Sequence, residues 1–169
     1  ENAVAEYVGA KFAVAVSNGT AALHLAALAA GIGSGDSVIT SPITFVASAN
    51  AALYVGSQPV FVDIDPNTIN ISPEKLKASF QTTPSARAVI PVHFAGLPCD
   101  MERIKEIADE NNAVVIEDAA HALGAKYLDG QLVGCCSHSL MTIYSFHPVK
   151  AIAAGEGGMI TTNDENIYR

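Results

Sequence analysis

The sequence predicts an α/β fold with a mostly parallel central sheet. Short apolar runs alternate with helical stretches along all 169 residues, and this alternation is typical of folds in which helices cover a parallel sheet. Hydrophobic residues make up 50% of the chain and charged residues only 15%. A chain of this length and composition can build one domain with a full core.

The first strand and the helix after it set the pattern. Residues 12–16 are almost continuously apolar and predict a strand that is buried on both faces. Residues 17–20 turn the chain into a helix over 21–30, which Gly31 closes. After the next strand, Pro42 prevents the chain from continuing as a central strand, because proline lacks the N–H that a ladder needs.

Capping residues and turn residues indicate the later elements. Ser72, followed by a proline, predicts a helix start. Asp100 caps a helix over 101–111, and the pair Asp129-Gly130 predicts a hairpin turn. The predicted strands are, in order, 12–16, 37–40, 58–64, 87–92, 113–116 and 139–144. The predicted helices cover 2–8, 21–30, 44–54, a segment from 73, the segment 101–111 and a last segment that begins near 165.

Composition and charge exclude several classes of function. The formal net charge of −8 argues against a surface for nucleic acid. No apolar run reaches the ~20 residues of a membrane helix, and the N-terminus has no signal-peptide pattern. The cysteines Cys99, Cys135 and Cys136 fit neither a disulfide framework nor a zinc site, so we expect free thiols, no metal and a cytoplasmic protein. The chain lacks an initiator Met and opens within a helical stretch, so we expect a piece of a longer protein.

Polar groups follow three of the predicted strands, where open α/β sheets bind their ligands. Residues 17–21 open a helix directly after a strand, and their free N–H groups favour an anion, with Gly19 allowing close approach. An ordinary N-capped helix is the alternative. Asp118 ends an apolar strand and can pair with a protonated pyridine nitrogen, although a helix-capping Asp is equally consistent with the sequence.

Lys150 follows the strand predicted over 139–144 and precedes a Gly-rich run. Desolvation lowers the pKa of a lysine, and a neutral amine is a nucleophile towards aldehydes. The alternative is a solvated loop lysine. Together with the anion site and Asp118, Lys150 supplies the minimal set of groups for binding pyridoxal 5'-phosphate (PLP).

Several runs of the sequence resemble a known enzyme family. They are SNGTAAL at 17–23, TFVAS at 44–48, VFVDID at 60–65, EDAAHALG at 117–124 and SFHPVK at 145–150, followed by GEGG at 155–158. Their order and content resemble the DegT/StrS family of sugar-nucleotide aminotransferases. The resemblance implies the aspartate aminotransferase fold (fold type I), a three-layer α/β/α large domain, with PLP as cofactor. Residues 1–169 would be part of this PLP-binding large domain, without the N-terminal segment and the C-terminal small domain.

The resemblance also implies which residues bind the cofactor. The backbone amides of Thr20 and Ala21, beside Gly19, would hold the phosphate together with Ser145. Phe45 would stack on the pyridine face.

Three further positions follow from the same motifs. Asp118 would pair with the pyridine nitrogen, His121 would lie beside the ring, and Lys150 would form the internal Schiff base. The family commonly has two threonines after the lysine, whereas this chain has Ala153-Ala154, so no hydroxyl contact is expected from that loop.

The implied function is transfer of an amino group from an amino acid, L-glutamate, to a 4-keto-6-deoxy nucleotide sugar in the synthesis of cell-surface polysaccharides or sialic-acid-like sugars. The run 92–101 with His121 and 146–148 is most similar to the branch that acts on UDP-4-keto-6-deoxy-N-acetylhexosamines. The resemblance further implies a homodimer whose active site is shared between subunits. The alternatives are a non-catalytic or inactive PLP-binding or regulatory fragment of this family, and another reaction on the same cofactor, such as sugar dehydration, which Lys150 disfavours because related dehydratases carry histidine there.

Overall fold

The computed structural model, which describes residues 1–169, contains six α-helices and seven β-strands, which alternate up to the fifth strand and are followed by two more strands and a last helix. The strands are β1 (Phe12–Val16), β2 (Ser37–Thr40), β3 (Gln58–Phe61), β4 (Ala86–Ile90), β5 (Val114–Asp118), β6 (Met141–Ser145) and β7 (Gly158–Thr162). The helices are α1 (Asn2–Val8), α2 (Gly19–Ala29), α3 (Val46–Tyr54), α4 (Pro73–Thr82), α5 (Met101–Glu110) and α6 (Glu165–Tyr168). None of these helices has the length and apolarity needed to cross a membrane.

The strands form one sheet in the order β1-β7-β6-β5-β4-β2-β3. The pairings of β2 with β3, β2 with β4, β4 with β5 and β5 with β6 are parallel. Only β7 runs against its neighbours, β6 and β1. The prediction of a mostly parallel sheet is therefore confirmed.

Helices cover both faces of the sheet, as predicted. One apolar cluster joins α2 and α3 to one face, and a second cluster joins α1, α4 and α5 to the other. Neighbouring residues of the central strands alternate between the two clusters, because successive side chains of a strand point to opposite faces. Val115 and Ile116 of β5 show this alternation.

Side-chain caps begin α2, α4 and α5, and two of these caps, Ser72 and Asp100, were predicted. Asn18, Ser72 and Asp100 are the N-caps of α2, α4 and α5, and each side chain accepts a hydrogen bond from a backbone N–H of the first turn. These bonds satisfy donors that a helix start otherwise leaves free. The cysteines are free and buried.

Two predictions about strands are corrected by the structure, and one strand is an addition to the predicted set. Strand β1 is not buried on both faces: Ala15 is exposed, because β1 lies at the edge of the sheet. Strand β3 ends at Phe61 rather than at residue 64, and Ile64 forms only an isolated bridge with Ile71. Strand β7 was not predicted, although all of its residues are buried.

The predicted hairpin around Asp129-Gly130 is confirmed only in its turn. The Tyr127 N–H donates to the carbonyl of Gln131, and the Gly130 N–H donates to the carbonyl of Tyr127. The only strand pairing there is one bridge between Lys126 and Leu132. The segment is thus a tight turn without a ladder.

Candidate active site

A cavity of about 540 Å³ opens at the carboxyl edge of the sheet. Its lining comes from the segments that follow β1, β2, β4, β5 and β6, which is the expected position of a ligand site in an open α/β sheet. Seven of the predicted site residues line it, namely Gly19, Thr20, Phe45, Asp118, His121, Ser145 and Lys150. Residues far apart in sequence therefore meet in one cavity of ligand size.

The N-terminus of α2 packs unusually close to the ends of β6 and β7. A Cβ atom at Gly19 would lie 2.9 Å from the Cβ of Ser145, and one at Gly158 would lie 2.5 Å from the carbonyl atoms of Asn18. Only glycine permits both approaches. Because the first N–H groups of a helix have no partner within the helix, this end of the cavity presents amides and the Ser145 hydroxyl to an anion.

Ala21 is the one predicted site residue that does not line the cavity. Its N–H donates to Oδ1 of Asn18 at 2.8 Å, so its amide is already bonded in this structure. The N-capped helix and the anion site are therefore compatible descriptions of the same turn.

Gly158→Ala is expected to damage the anion end of the cavity. The new Cβ would meet backbone atoms of Asn18 and lie 2.9 Å from the Gly19 nitrogen, and backbone cannot rotate away as a side chain can. We expect PLP affinity to fall by more than about tenfold and stability to fall by roughly 1–3 kcal/mol, measured by absorbance titration and thermal unfolding.

Gly33→Ala is the matched control for this change. A Cβ at Gly33 meets nothing within 4 Å, so this variant should bind PLP like the wild type. Equal PLP affinity in both variants would contradict the proposed role of the close approach.

Asp118 is buried at the end of β5, with 5% of its surface exposed. Its Oδ2 accepts a hydrogen bond of 2.7 Å from the Ser48 hydroxyl, and its Oδ1 accepts one of 3.2 Å from the Ala120 N–H. Residues 119–124 contain no helix, so Asp118 does not cap a helix. A carboxylate fixed in this way at the cavity wall can accept a hydrogen bond from a protonated ring nitrogen.

Lys150 is held by a tight turn that leads away from β6. The Lys150 N–H donates to the carbonyl of His147 at 2.9 Å, and Pro148 occupies the second position of this turn, which proline favours. The amine Nζ lies 2.7 Å from Nε2 of His121. Partial burial and the neighbouring Lys150 lower the pKa of His121, so the imidazole is neutral at neutral pH and can share a proton with the amine.

Phe45 precedes α3 with an extended backbone, at φ −68° and ψ 143°. The sequence predicted that this helix begins at residue 44. Because Phe45 is extended, α3 begins at Val46 instead. Phe45 lines the cavity, and 71% of the residue is exposed. An aromatic ring left open on a cavity wall is available for stacking on a planar ligand.

A buried polar cluster lies directly behind Asp118. The side chains of His93 and Glu117 are fully buried and are joined by a hydrogen bond of 2.8 Å between Nε2 and Oε2. The Cys99 N–H donates to Nδ1 of His93, which assigns the ring proton to Nε2. Tyr127, Ser139 and Thr142 also donate to the Glu117 carboxylate, at 2.6, 2.5 and 3.0 Å.

Sequence reasoning missed Ser48 and the partners of Glu117. From the sequence one could recognise that an acid at the end of this buried strand needs a hydrogen-bond partner. The identity of the partners was not, because Ser48 lies 70 residues from Asp118 and His93 lies 24 residues from Glu117. The run 44–48 was nevertheless one of the motifs singled out.

The residues of the cavity fit PLP. The N-terminus of α2, with Gly19 and Gly158 beside it, would hold the phosphate. Phe45 offers a ring face for stacking, and Asp118 offers a buried carboxylate for the ring nitrogen. Lys150 offers an amine within the same cavity.

Comparison with known proteins gives a consistent result. The DegT/DnrJ/EryC1/StrS aminotransferase family matches residues 1–169. The spore coat polysaccharide biosynthesis protein SpsC of Bacillus subtilis is 50% identical over 167 residues, which are 99% of this chain and 42% of that protein. GDP-perosamine synthase of Caulobacter vibrioides is 49% identical over 170 residues, covering 99% of this chain and 44% of that protein. The chain thus spans less than half the length of these relatives.

Solved structures agree with the fold. An aminotransferase from Psychrobacter cryohalolentis superposes with a TM-score of 0.95 at 45% identity, covering 100% of this chain and 42% of that one. The sugar aminotransferase Spr1654 of Streptococcus pneumoniae, in its PLP form, gives a TM-score of 0.90 at 31% identity, with 99% and 45% coverage. A PMP form of Spr1654 matches equally well. These neighbours confirm fold type I and support PLP as the cofactor.

Proposed function

The chain belongs to the DegT/DnrJ/EryC1/StrS aminotransferase family, and we propose that it is the PLP-binding large domain of an aminotransferase that acts on a 4-keto-6-deoxy nucleotide sugar. The amino donor is an amino acid, L-glutamate, which becomes the 2-oxo acid while the keto carbon of the sugar receives the amine. One observation carries the proposal: the amide end of α2, Asp118 and Lys150 line one cavity.

Each of these groups has a separate task. When bound, PLP supplies an aldehyde that condenses with amines and a ring that takes up the electron pair left when a carbon loses its proton. The N-terminus of α2 and Ser145 bind the phosphate and fix its position. Asp118 keeps the ring nitrogen protonated, because its buried carboxylate favours a positive charge nearby.

Lys150 is the covalent anchor and the proton carrier of the proposal. Once the amino donor replaces it, Nζ of Lys150 takes the proton from Cα of the donor as a general base and later returns a proton as a general acid. The neutral imidazole of His121 lies 2.7 Å from Nζ. It can accept a hydrogen bond from the ammonium form, which keeps the amine aimed into the cavity.

The sugar substrate is supported by the relatives and by the resemblance described above. SpsC is named for polysaccharide biosynthesis and the Caulobacter relative for GDP-perosamine synthesis. In the same proposal the protein is a cytoplasmic homodimer, and the partner subunit completes the site. A dimer is consistent with the open cavity and with the exposed Phe45 on its wall.

An assay of the two half-reactions in succession tests this function. The whole protein is incubated with PLP and L-glutamate and the cofactor absorbance is followed, and then keto nucleotide sugars carrying UDP, GDP and dTDP are supplied in turn. We expect a shift of the absorbance band with glutamate and formation of an amino sugar, detected by mass spectrometry, with one of the nucleotides. PLP binding without a glutamate-dependent shift would support the non-catalytic alternative.

Asp118→Asn is expected to reduce kcat by at least about a hundredfold, because the amide cannot stabilise a protonated ring nitrogen as a carboxylate does. PLP should still attach to Lys150, since the amine and the phosphate end are unchanged. Steady-state kinetics and borohydride reduction measure the two properties separately. Asp65→Asn is the control, because Asp65 lies outside the cavity lining. Unchanged kcat in Asp118→Asn would contradict the assignment.

A further inference from the structure

We propose that Ser48 is the positioning residue of Asp118, acting through a relay of two hydroxyl groups that begins at Thr44. The proposal rests on the role of Asp118 given above. Both residues lie in the motif 44–48, in which the family resemblance gives a role only to Phe45. Ser48 does not line the cavity, whereas Thr44 does.

The geometry fixes the direction of the relay. Oγ of Ser48 lies 2.7 Å from Oδ2 of Asp118 and 2.6 Å from Oγ1 of Thr44. A carboxylate only accepts hydrogen bonds, and a serine hydroxyl has one proton to give. The Ser48 proton therefore points to Asp118, and the Thr44 hydroxyl donates to Ser48.

A competing acceptor does not change this assignment. The carbonyl of Phe45 lies 3.3 Å from Oγ of Ser48, farther than the carboxylate. That carbonyl already accepts the Ser48 N–H at 3.2 Å. Hydrogen bonds to charged acceptors are shorter and stronger than those to neutral ones, so the Ser48 hydroxyl donates its proton towards the carboxylate and not towards the carbonyl.

Burial makes this contact specific. Ser48 is completely buried, and the backbone of α3 carries it. The other bond to the Asp118 side chain is the longer one, 3.2 Å, from the Ala120 N–H of the following turn. Ser48 thus couples α3 to the end of β5 and sets the rotation of the carboxylate about its last bond.

A double-mutant cycle tests the inference. Ser48→Ala is expected to weaken PLP binding roughly tenfold and to lower kcat roughly 10-fold to 100-fold, with KM for the amino donor unchanged. In an Asp118→Asn background the same change should cost less than about threefold, because residues that act through one another are not additive. Ser48→Thr, which keeps the hydroxyl, should retain most of the PLP affinity.

Ser57→Ala is the matched control. Ser57 is also a buried serine, but its hydroxyl has no hydrogen-bond partner, so its loss should leave PLP affinity and kcat unchanged. If Ser48→Ala lowers PLP affinity and kcat equally in the wild-type and Asp118→Asn backgrounds, the inference about Ser48 is wrong but the proposed function stands. Equal PLP affinity in Ser48→Ala and Ser57→Ala would have the same meaning. Absence of PLP binding by the wild type would overturn the proposed function and the inference together.

Discussion

Replacing Lys150 by Ala is expected to abolish covalent attachment of PLP and to lower kcat by at least about a thousandfold. Lys150 is the only lysine that lines the cavity, so no other lysine amine can replace it there. In the wild type, borohydride reduction should fix the cofactor to the peptide that contains Lys150. Mass spectrometry of the digested whole protein should find no such peptide in Lys150→Ala.

Two further variants sharpen this result. Lys126→Ala removes an exposed lysine outside the cavity and should behave like the wild type in both measurements. Lys150→Arg keeps a positive charge beside His121 but cannot act as a neutral amine, so it should bind PLP without covalent attachment. Turnover by Lys150→Ala at the wild-type rate would end the aminotransferase proposal for this site.

Replacing Glu117 by Ala is expected to destabilise the fold by about 3–5 kcal/mol. The change leaves four donors without their acceptor, three of them buried (His93, Tyr127 and Thr142) and one half-buried (Ser139). Glu117→Gln should lower the stability less. Its amide oxygen can still accept from His93 and Tyr127, and the hydroxyls of Ser139 and Thr142, which face the other oxygen of Glu117, can rotate to meet the new NH₂ group. Urea unfolding monitored by circular dichroism should give the stability order wild type, Gln, Ala.

The contribution of Glu117 to stability should depend on pH. Burial raises the pKa of Glu117, but the hydrogen bonds from His93, Ser139 and Tyr127 outweigh burial and hold the pKa below its usual range. The folded state therefore binds this proton less readily than the unfolded state, so the contribution to stability is full at neutral pH. It is lost as the pH falls below the ordinary glutamate value of about 4.3, and the stability gap between wild type and Glu117→Gln should narrow there.

The control for Glu117 is Glu110→Gln, which removes an exposed ion pair with Lys77. Exposed pairs contribute little to stability, so this variant should unfold close to the wild type at every pH. A Glu117→Ala protein as stable as Glu110→Gln would show that the buried cluster does not hold the strand end in place.

Local sequence signals were sufficient to predict most of the fold. Caps such as Ser72 and Asp100 act within a few residues, and apolar runs such as 113–116 mark central strands. Strand β7 escaped prediction because its five residues follow a glycine-rich run and end in two threonines. Those threonines are buried because their hydroxyls bond to nearby carbonyl groups, such as Thr162 to Leu140, which a hydropathy pattern cannot show.

The candidate site was predictable where a motif carries its own chemistry. Lys150, Asp118 and the turn before α2 each follow a strand, and parallel strands bring their carboxyl ends to one edge. The contacts that orient them were not predictable, because they depend on how the helices pack. The Ser48 hydroxyl reaches Asp118 only because α3 lies against that part of the sheet.

The antiparallel placement of β7 has a consequence for how freely the lysine loop can vary. Ser145 and Gly158 are paired across β6 and β7, and the Phe146 N–H donates to the carbonyl of Gly157. Backbone pairing in the sheet therefore holds the two ends of the loop 146–157 together. The entropy cost of closing such a loop grows only slowly with its length. Insertions or deletions beyond the lysine turn are therefore expected to leave the paired strand ends at Ser145 and Gly158 in place.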